Sequence, residues 1–398
     1  MEIVFVLFLC IVLAYLFSEF CEHFLHIPRV VGQLSAGLIL GLPGIRELVF
    51  SGSTLPVLKS LADVGVILLF FFVGLQINLR DMRQHAGIAL RISLTKTIPL
   101  LIGGYLFANR VLGFDSVLSA VIGVCLSVSA QAVSADVLEE LGMLRTRIGK
   151  LMVTTGTVDD LFESILISAI LVIINATTAK LGIIILLRDL VLFLLILILF
   201  RSLFIPFILR AIEREGSQTT LFTGSLIIVL LMAGLGEFFR IGNLIGALCA
   251  GILIRQTLLI DEKGKLWEEH SIAKMIHIIG FGFLIPIFFL WAGLSVNLST
   301  ITQHVPLLLW ITAIAFTGLI GGSMIGAHAS GFTWREGWTI GWGLNAKGDV
   351  ELAVATLALN AKILTIEIYS VIILMALITT IVSPIVFRRL LEQIKRKA

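Results

Sequence analysis

Apolar runs of about twenty residues follow one another along almost the whole chain, and that pattern leaves few folds open. A bilayer core about 30 Å thick is crossed by roughly 20 apolar residues in a helix. On that ruler thirteen spans can be drawn, near residues 2–20, 29–42, 56–77, 85–109, 114–141, 148–175, 183–213, 218–238, 242–257, 272–296, 304–330, 335–361 and 365–388. Only 14% of the residues are charged and the mean hydropathy is +1.07, whereas a soluble domain carries charge on roughly a quarter of its residues. The expected fold class is an all-α membrane protein of about 13 transmembrane helices. A net charge of +3, scattered along the chain, gives no nucleic-acid surface. No cofactor is expected. The first run lacks a basic leader and a small-residue cleavage site, so it reads as a retained helix. Cys10, Cys21, Cys125 and Cys249 sit in or beside apolar runs without ligand spacing, and read as small packing residues without disulfides.

The loops orient the chain. With the C-terminus inside, the inner ends of the spans collect Arg145, Arg147, Lys150, Lys263, Lys265 and the basic tail after Phe387, among others. The other side holds mainly Arg46, Arg110, Lys180, Arg240 and Lys362. That bias of roughly three to one follows the positive-inside rule, and an odd span count then puts the N-terminus outside.

An internal repeat organises the spans. Residues 29–41, RVVGQLSAGLILG, match 243–255, NLIGALCAGILIR, with Gly32/Gly246, Ala36/Ala250 and Gly37/Gly251 in register. Further on, FFFVGLQINL ending at Leu79 matches IFFLWAGLSVNL ending at Leu298, aligning Gly74 with Gly293 and Asn78 with Asn297. The copies are offset by seven spans, so they enter the membrane from opposite sides. Inverted-topology repeats of this kind belong to secondary transporters, which place the substrate between discontinuous helices near the midplane. One domain is expected over 1–398: repeat one about 1–175, a connecting helix about 183–213, and repeat two about 218–388. No cytosolic regulatory domain is expected.

Ionisable groups inside spans are costly, by at least about 2.5 kcal/mol at the centre, and each is a functional hypothesis. The sharpest cluster is GTVDDLFES in the sixth span, with Asp159, Asp160 and Glu163. Glu163 lies one turn on from both aspartates. Acids this close in low dielectric do not both stay ionised easily, and such a site takes either a proton or a small hard cation on its oxygens. Competition for one site is itself an exchange mechanism. Arg147 and Lys150 mark the inner surface, which puts the pair roughly 15 Å deep.

The fifth span carries LSVSAQAVSADVLEELG, where Ser127, Ser129, Gln131 and Ser134 interrupt an apolar helix. The twelfth carries GWGLNAKGDVELAVA, with Lys347, Asp349 and Glu351. Both read as discontinuous helices that cross, because cutting the twelfth into two spans leaves pieces too short for the bilayer. Opposed half-helix ends bring partial charges of both signs together, which Lys347 and Asp349 can neutralise. Lys96, mid-span in RISLTKTIPLLIGGYLF, is too deep to snorkel, and an ion pair with Asp159 or Asp160 accounts for its burial. A structural pair with another acid is the alternative. His23, His26, His277 and His304 lie near span ends and read as interfacial.

These motifs resemble the prokaryotic monovalent cation:proton antiporters of the Nap and Kef type, over essentially the full length. RVVGQLSAGLILG is similar to that family's second-helix pattern, TVDDLF to the paired-aspartate site of the Nap-like branch, and NAKGDVELAVA to the second broken helix. The resemblance implies a dimerisation panel (spans 1–3 and 8–10), a mobile core (spans 4–6 and 11–13), elevator-like exchange of Na⁺ or K⁺ for H⁺, and a homodimer in the inner membrane. It implies Asp160 as the principal ion and proton site, Asp159 as its partner and Ser127 as a contact near the unwound backbone. Lys347 and Asp349 take the places of the basic and acidic broken-helix residues. Electrogenic relatives carry a lysine in the eleventh span. Here that stretch, AFTGLIGGSMIG, has Thr317 and Gly318 instead, which leaves stoichiometry and electrogenicity open, and Lys96 in the fourth span is the candidate replacement from the other repeat.

Two other functions compete. A sodium-coupled organic-anion symporter of similar fold needs a roomier polar cavity with less acid at its centre. An intramembrane aspartyl protease needs two carboxylates facing each other from two helices and sharing a proton, but here the prominent pair is adjacent on one helix.

Overall fold

The computed structural model describes residues 2–50, 54–76, 82–129, 134, 137–138, 141–143, 146–178, 183–204, 218–239, 241–258 and 278–395, with the backbone alone at helical positions 76, 82–86, 157, 160, 161, 174–178, 183, 184, 186, 187, 203, 204, 218–221, 257, 258 and 349. Among the described residues every regular element is a helix. In chain order these are α1 Ile3–Glu19, α2 Arg29–Leu40, α3 Ile45–Val49, α4 Thr54–Gln76, α5 Met82–Leu106, α6 Ser116–Ser127, α7 Arg147–Thr178 and α8 Ile183–Leu199. They continue as α9 Gln218–Phe238, α10 Asn243–Leu258, α11 Ile285–Leu294, α12 Leu298–His328, α13 Trp334–Gly343, α14 Asp349–Asn360 and α15 Ile366–Lys395. Wide π turns prolong α1 (Phe20–Leu25), α5 (Phe107–Val111) and α8 (Phe200–Phe204) and lead into α11 (Gly280–Leu284). Helices therefore lie where the apolar runs were read; the short α3 was not anticipated. Among the described residues five stretches are long and apolar enough to cross a membrane unaided: Ile3–Leu25, Thr54–Leu75, Gly87–Val111, Leu298–His328 and Ile366–Lys395.

Burial follows lipid logic. Phe8, Leu195, Ile198, Leu309 and Trp310 lie exposed, while Lys96 and Lys347 are among the largest fully buried side chains. On α1 the buried stripe is Val6, Cys10, Ala14 and Ser18, one residue per turn and mostly small. It admits α2 so closely that a Cβ at Gly32 would overlap the Phe17 carbonyl. Where no water separates apolar faces, van der Waals contact between close backbones supplies the attraction. Local chemistry sets the helix starts. The Asp115 carboxylate accepts from the backbone N–H of Val117 (2.9 Å) and Leu118 (3.1 Å) to open α6, and Asn297 accepts from Ser299 N–H to open α12.

The glycines matched by the repeat make matching contacts. In copy one, a Cβ at Gly37 of α2 would overlap the Leu290 carbonyl of α11, and Gly293 of α11 meets α2 in return. In copy two, Gly251 of α10 is pressed in the same way against Phe71 of α4, and Gly74 of α4 meets α10. Each copy's glycine helix therefore packs on the other copy's FF-G helix. Gly246 repeats the role of Gly32, lying against Met232 of α9.

The chain divides into two compact units, Met1–Leu58 with Asp81–Ile170 and Phe289–Ala398, and Lys59–Arg80 with Leu171–Phe288. The first has a core built on Ile92, Leu138, Met152, Ile340, Leu344, Phe387 and Leu391, and a smaller cluster of Cys21, Ile27 and Val31 against Leu377 and Ile381. That smaller cluster ties α1 and α2 to α15. The first two spans consequently fall in one unit with most of spans 4–6 and with spans 11–13. In the second unit Phe72 meets Phe281 edge-on at 4.7 Å, and Arg255 donates to the Leu75 carbonyl at 3.0 Å. The four cysteines are free.

Candidate functional site

The site grows out of two helix ends in the first unit. α6 stops at Ser127, and Val128 is already extended (ψ 147°). A helix C-terminus leaves its last carbonyls without partners and carries about half a negative charge. Lys347 answers both needs: its ammonium donates to the carbonyls of Cys125 (2.9 Å), Leu126 (2.8 Å) and Val128 (2.6 Å). Three donors meet three acceptors, so this lysine is satisfied although its side chain is fully buried. Lys347 itself lies in the non-helical stretch between α13 and α14, where Thr380 Oγ1 of α15 donates to its carbonyl at 2.5 Å. In the other direction, Ser134 Oγ from the fifth span donates to the carbonyl of Gly343, the last residue of α13. Each discontinuity is thus closed by a residue from the other. Asn345, also buried, donates to Ser383 Oγ at 2.8 Å.

Beside α6 lies a buried ion pair. Lys96 Nζ of α5 stands 2.7 Å from Asp159 Oδ2 of α7, with both side chains at 0% exposure. The same ammonium donates to Ser129 Oγ at 2.6 Å. Ser129 in turn donates its backbone N–H to Glu163 Oε1 at 2.7 Å and its hydroxyl to the same oxygen at 3.3 Å. Asp159, Lys96, Ser129 and Glu163 therefore form one hydrogen-bonded chain through three segments. The depth of Lys96 is set by its neighbour: Gly322 of α12 lies where a Cβ would meet the Lys96 backbone, Gly318 meets Leu100, and Gly326 meets Thr95 and Ile92. This stripe, one glycine per turn, brings the eleventh span against the fourth at the level of the lysine.

The sequence-read residues fall out as follows. Asp159, Lys96, Ser129 and Glu163 come together, and the pair expected for Lys96 is present with Asp159. Lys347 caps α6. Glu351, on α14, is fully buried, and its carboxylate is the leading charge acting on Lys347. Ser127 is buried, but its hydroxyl donates to the Val124 carbonyl of its own helix at 3.1 Å. Gln131 lies outside the described residues, and at Asp160 and Asp349 only the helix backbone is described. His23 is exposed and pairs with Glu19 at 3.1 Å. Glu19, Glu22 and His23 are grouped closely enough for a metal ion, but Arg29 already bonds both carboxylates. Two buried hydroxyls escaped the sequence reading. Ser93 lies one turn before Lys96 and against the Asp159 carboxylate, and Thr155 lies one turn before Asp159. Their signal was the helical period itself: hydroxyls one turn from a buried charge share its face.

The sequence pattern of the family described as sodium/hydrogen exchanger, transmembrane, matches residues 2–393. The chain belongs to this family. It is a multi-pass membrane transporter family, so the protease reading falls away. Among relatives, the Na(+)/H(+)-K(+) antiporter GerN of Bacillus cereus is 27% identical over 90% of this chain and 88% of its own length. A Na(+)/H(+) antiporter of Enterococcus hirae is 26% identical over 98% of each. The fold is that of the sodium proton antiporter MjNhaP1 from Methanocaldococcus jannaschii, with a TM-score of 0.64 and 18% identity over 96% of this chain and 95% of that one.

Proposed function

We propose that the chain exchanges Na⁺ or K⁺ for protons by alternating access, in the service of pH and salt homeostasis. Asp160 is the principal ion and proton carboxylate, Asp159 its partner, and Lys96 the internal competitor for the site. The observation that carries this reading is the fully buried Lys96–Asp159 pair at 2.7 Å. An ion pair in low dielectric gains little over an apolar pair, so its presence points to use rather than to stability. When a monovalent cation reaches the carboxylates it replaces the ammonium as their counter-charge. Lys96 then has no partner for its own charge and releases a proton. Run in reverse, protonation of Lys96 expels the cation. The charge-neutralised crossing, closed by Lys347, lets the carboxylates sit beside a helix end without added repulsion.

In this reading the N-terminus is outside, the C-terminus is cytoplasmic, and the protein works as a homodimer in a prokaryotic inner membrane. The test is purified protein in liposomes with an imposed pH gradient, comparing Na⁺, K⁺ and Li⁺ at several pH values. Collapse of the gradient on adding Na⁺ or K⁺ is expected. No response to any of the three overturns exchange, and uptake of an organic anion with Na⁺ would favour the symporter. Mass measurement in native-lipid particles tests the dimer.

A further inference from the structure

Far from the buried charges, the last helix opens a cavity beside the turn that joins α1 to α2. Leu377 and Ile381 of α15 pack on Cys21, Ile27 and Val31, where α1 turns into α2. One turn further on, at Pro384, that packing gives way to a cavity of about 350 Å³. A proline inside a helix withholds an N–H and crowds the turn before it. From α15 the cavity is lined by Arg388, Arg389 and Glu392, and from the end of α1 by Leu25 and His26. His26 is held in a left-handed backbone (φ 55°), uncommon outside glycine, as Ile27 N–H closes on the Cys21 carbonyl at 3.0 Å.

The charges in this cavity do not cancel. Arg388 Nε stands 3.6 Å from Glu392 Oε1, a loose pair, and among the described residues Arg389 has no carboxylate partner. Glu19 and Glu22, near the end of α1, are taken up by Arg29 and do not line the cavity. The apolar run of α15 ends at Arg388 and that of α1 at Glu19, so both helices leave the hydrocarbon at this level. Leu25 and Ile385 line the same cavity and are exposed, and Phe24 beside them lies exposed and stacked on Phe20 at 5.4 Å. We propose that this cavity binds the headgroup of an anionic phospholipid, with its phosphate on Arg388 and Arg389 and its acyl chains along Leu25 and Ile385. Guanidinium groups take two phosphate oxygens at once, and basic pockets between membrane helices recognise such headgroups. His26 offers an N–H in either protonation state, and Glu392 accepts from a headgroup hydroxyl such as those of glycerol. A cavity at the small end of ligand sites takes the headgroup and leaves the chains outside. A free phosphate would use the arginines but not the exposed apolar wall.

The test is thermal melting of the intact purified protein in neutral detergent. Three additions are compared: phosphatidylglycerol, phosphatidylcholine with the same chains, and sn-glycerol 3-phosphate, which carries the phosphate without chains. Phosphatidylglycerol should raise Tm by about 2 °C or more, and the other two should not. Raising salt to about 0.5 M should weaken the gain. Arg389→Gln, at an exposed position, should lose at least half of the gain, and Arg388→Gln/Arg389→Gln nearly all of it. Arg335→Gln, at the start of α13 and outside the cavity, should keep it. No gain from phosphatidylglycerol, or an equal gain from phosphatidylcholine, would overturn the site. An equal gain from sn-glycerol 3-phosphate would make it a free-anion site, and a full gain in the double variant would place the lipid elsewhere; either result overturns the proposal. The readout is binding, so it holds or fails independently of the exchange reading.

Discussion

Lys96 and Asp159 meet at 2.7 Å in the first unit, the lysine from the fourth span and the aspartate from the sixth, with no solvent at either side chain. The eleventh span contributes glycine at this level, and that absence of a side chain makes room for the lysine. We propose that the departure at Thr317 and Gly318 is a change in which helix supplies the charge.

Lys96→Gln should shift the pH profile of exchange and lower the charge moved per cation in liposomes. Removing one partner of a buried pair also costs about 3–5 kcal/mol in soluble proteins, so melting temperature must be measured alongside. Lower stability with an unchanged pH profile and charge movement would assign the lysine a purely structural role.

Asp160→Asn should abolish exchange while leaving a folded, monodisperse protein. The amide keeps the shape but neither titrates nor offers a full charge to a cation. Antiport at the unaltered rate by the purified variant would remove Asp160 from the site.

Lys347→Met should destabilise the protein before it changes selectivity. It strips the partner from three buried carbonyls, at about 1–3 kcal/mol for each group left unsatisfied. Lys347→Arg should rescue only in part, because a planar guanidinium does not present three hydrogens to three convergent oxygens. An unchanged melting curve for Lys347→Met would show that the crossing holds without its cap.

Gly37→Val and Gly251→Val should each prevent folding to a monodisperse state, since both glycines abut backbone carbonyls that have nowhere to move. Gly103→Ala is the control: nothing lies within 4 Å of its added carbon, and relief of helix-interior glycine is worth about 0.5–1 kcal/mol. Size-exclusion profiles and thermal melts decide. A well-folded Gly251→Val would mean that the repeat glycines are not packing constraints.

The sequence by itself determined the helical fold, the repeat and the residues that had to matter. Lipid tolerates only long apolar runs with satisfied backbone, so a buried Lys96 or Asp159 stands out without any structure. The glycine register of Gly37 with Gly251 and Gly74 with Gly293 was equally visible, because close backbone packing demands glycine and leaves it as a pattern. Tertiary structure decided which buried charges meet. Lys96 and Asp159 are 63 positions apart in the chain, and their pairing depends on how α12 seats α5, a property of side-chain volume that linear order does not carry. Lys347 read as a neutraliser of opposed helix ends, but its caps at Cys125, Leu126 and Val128 depend on where the crossing falls. The link from Ser129 to both Lys96 and Glu163, and the closure of α13 by Ser134, were invisible for the same reason. Hydrogen-bond partners across a discontinuity are set by distance in space, and a serine in an apolar helix announces only that some partner exists.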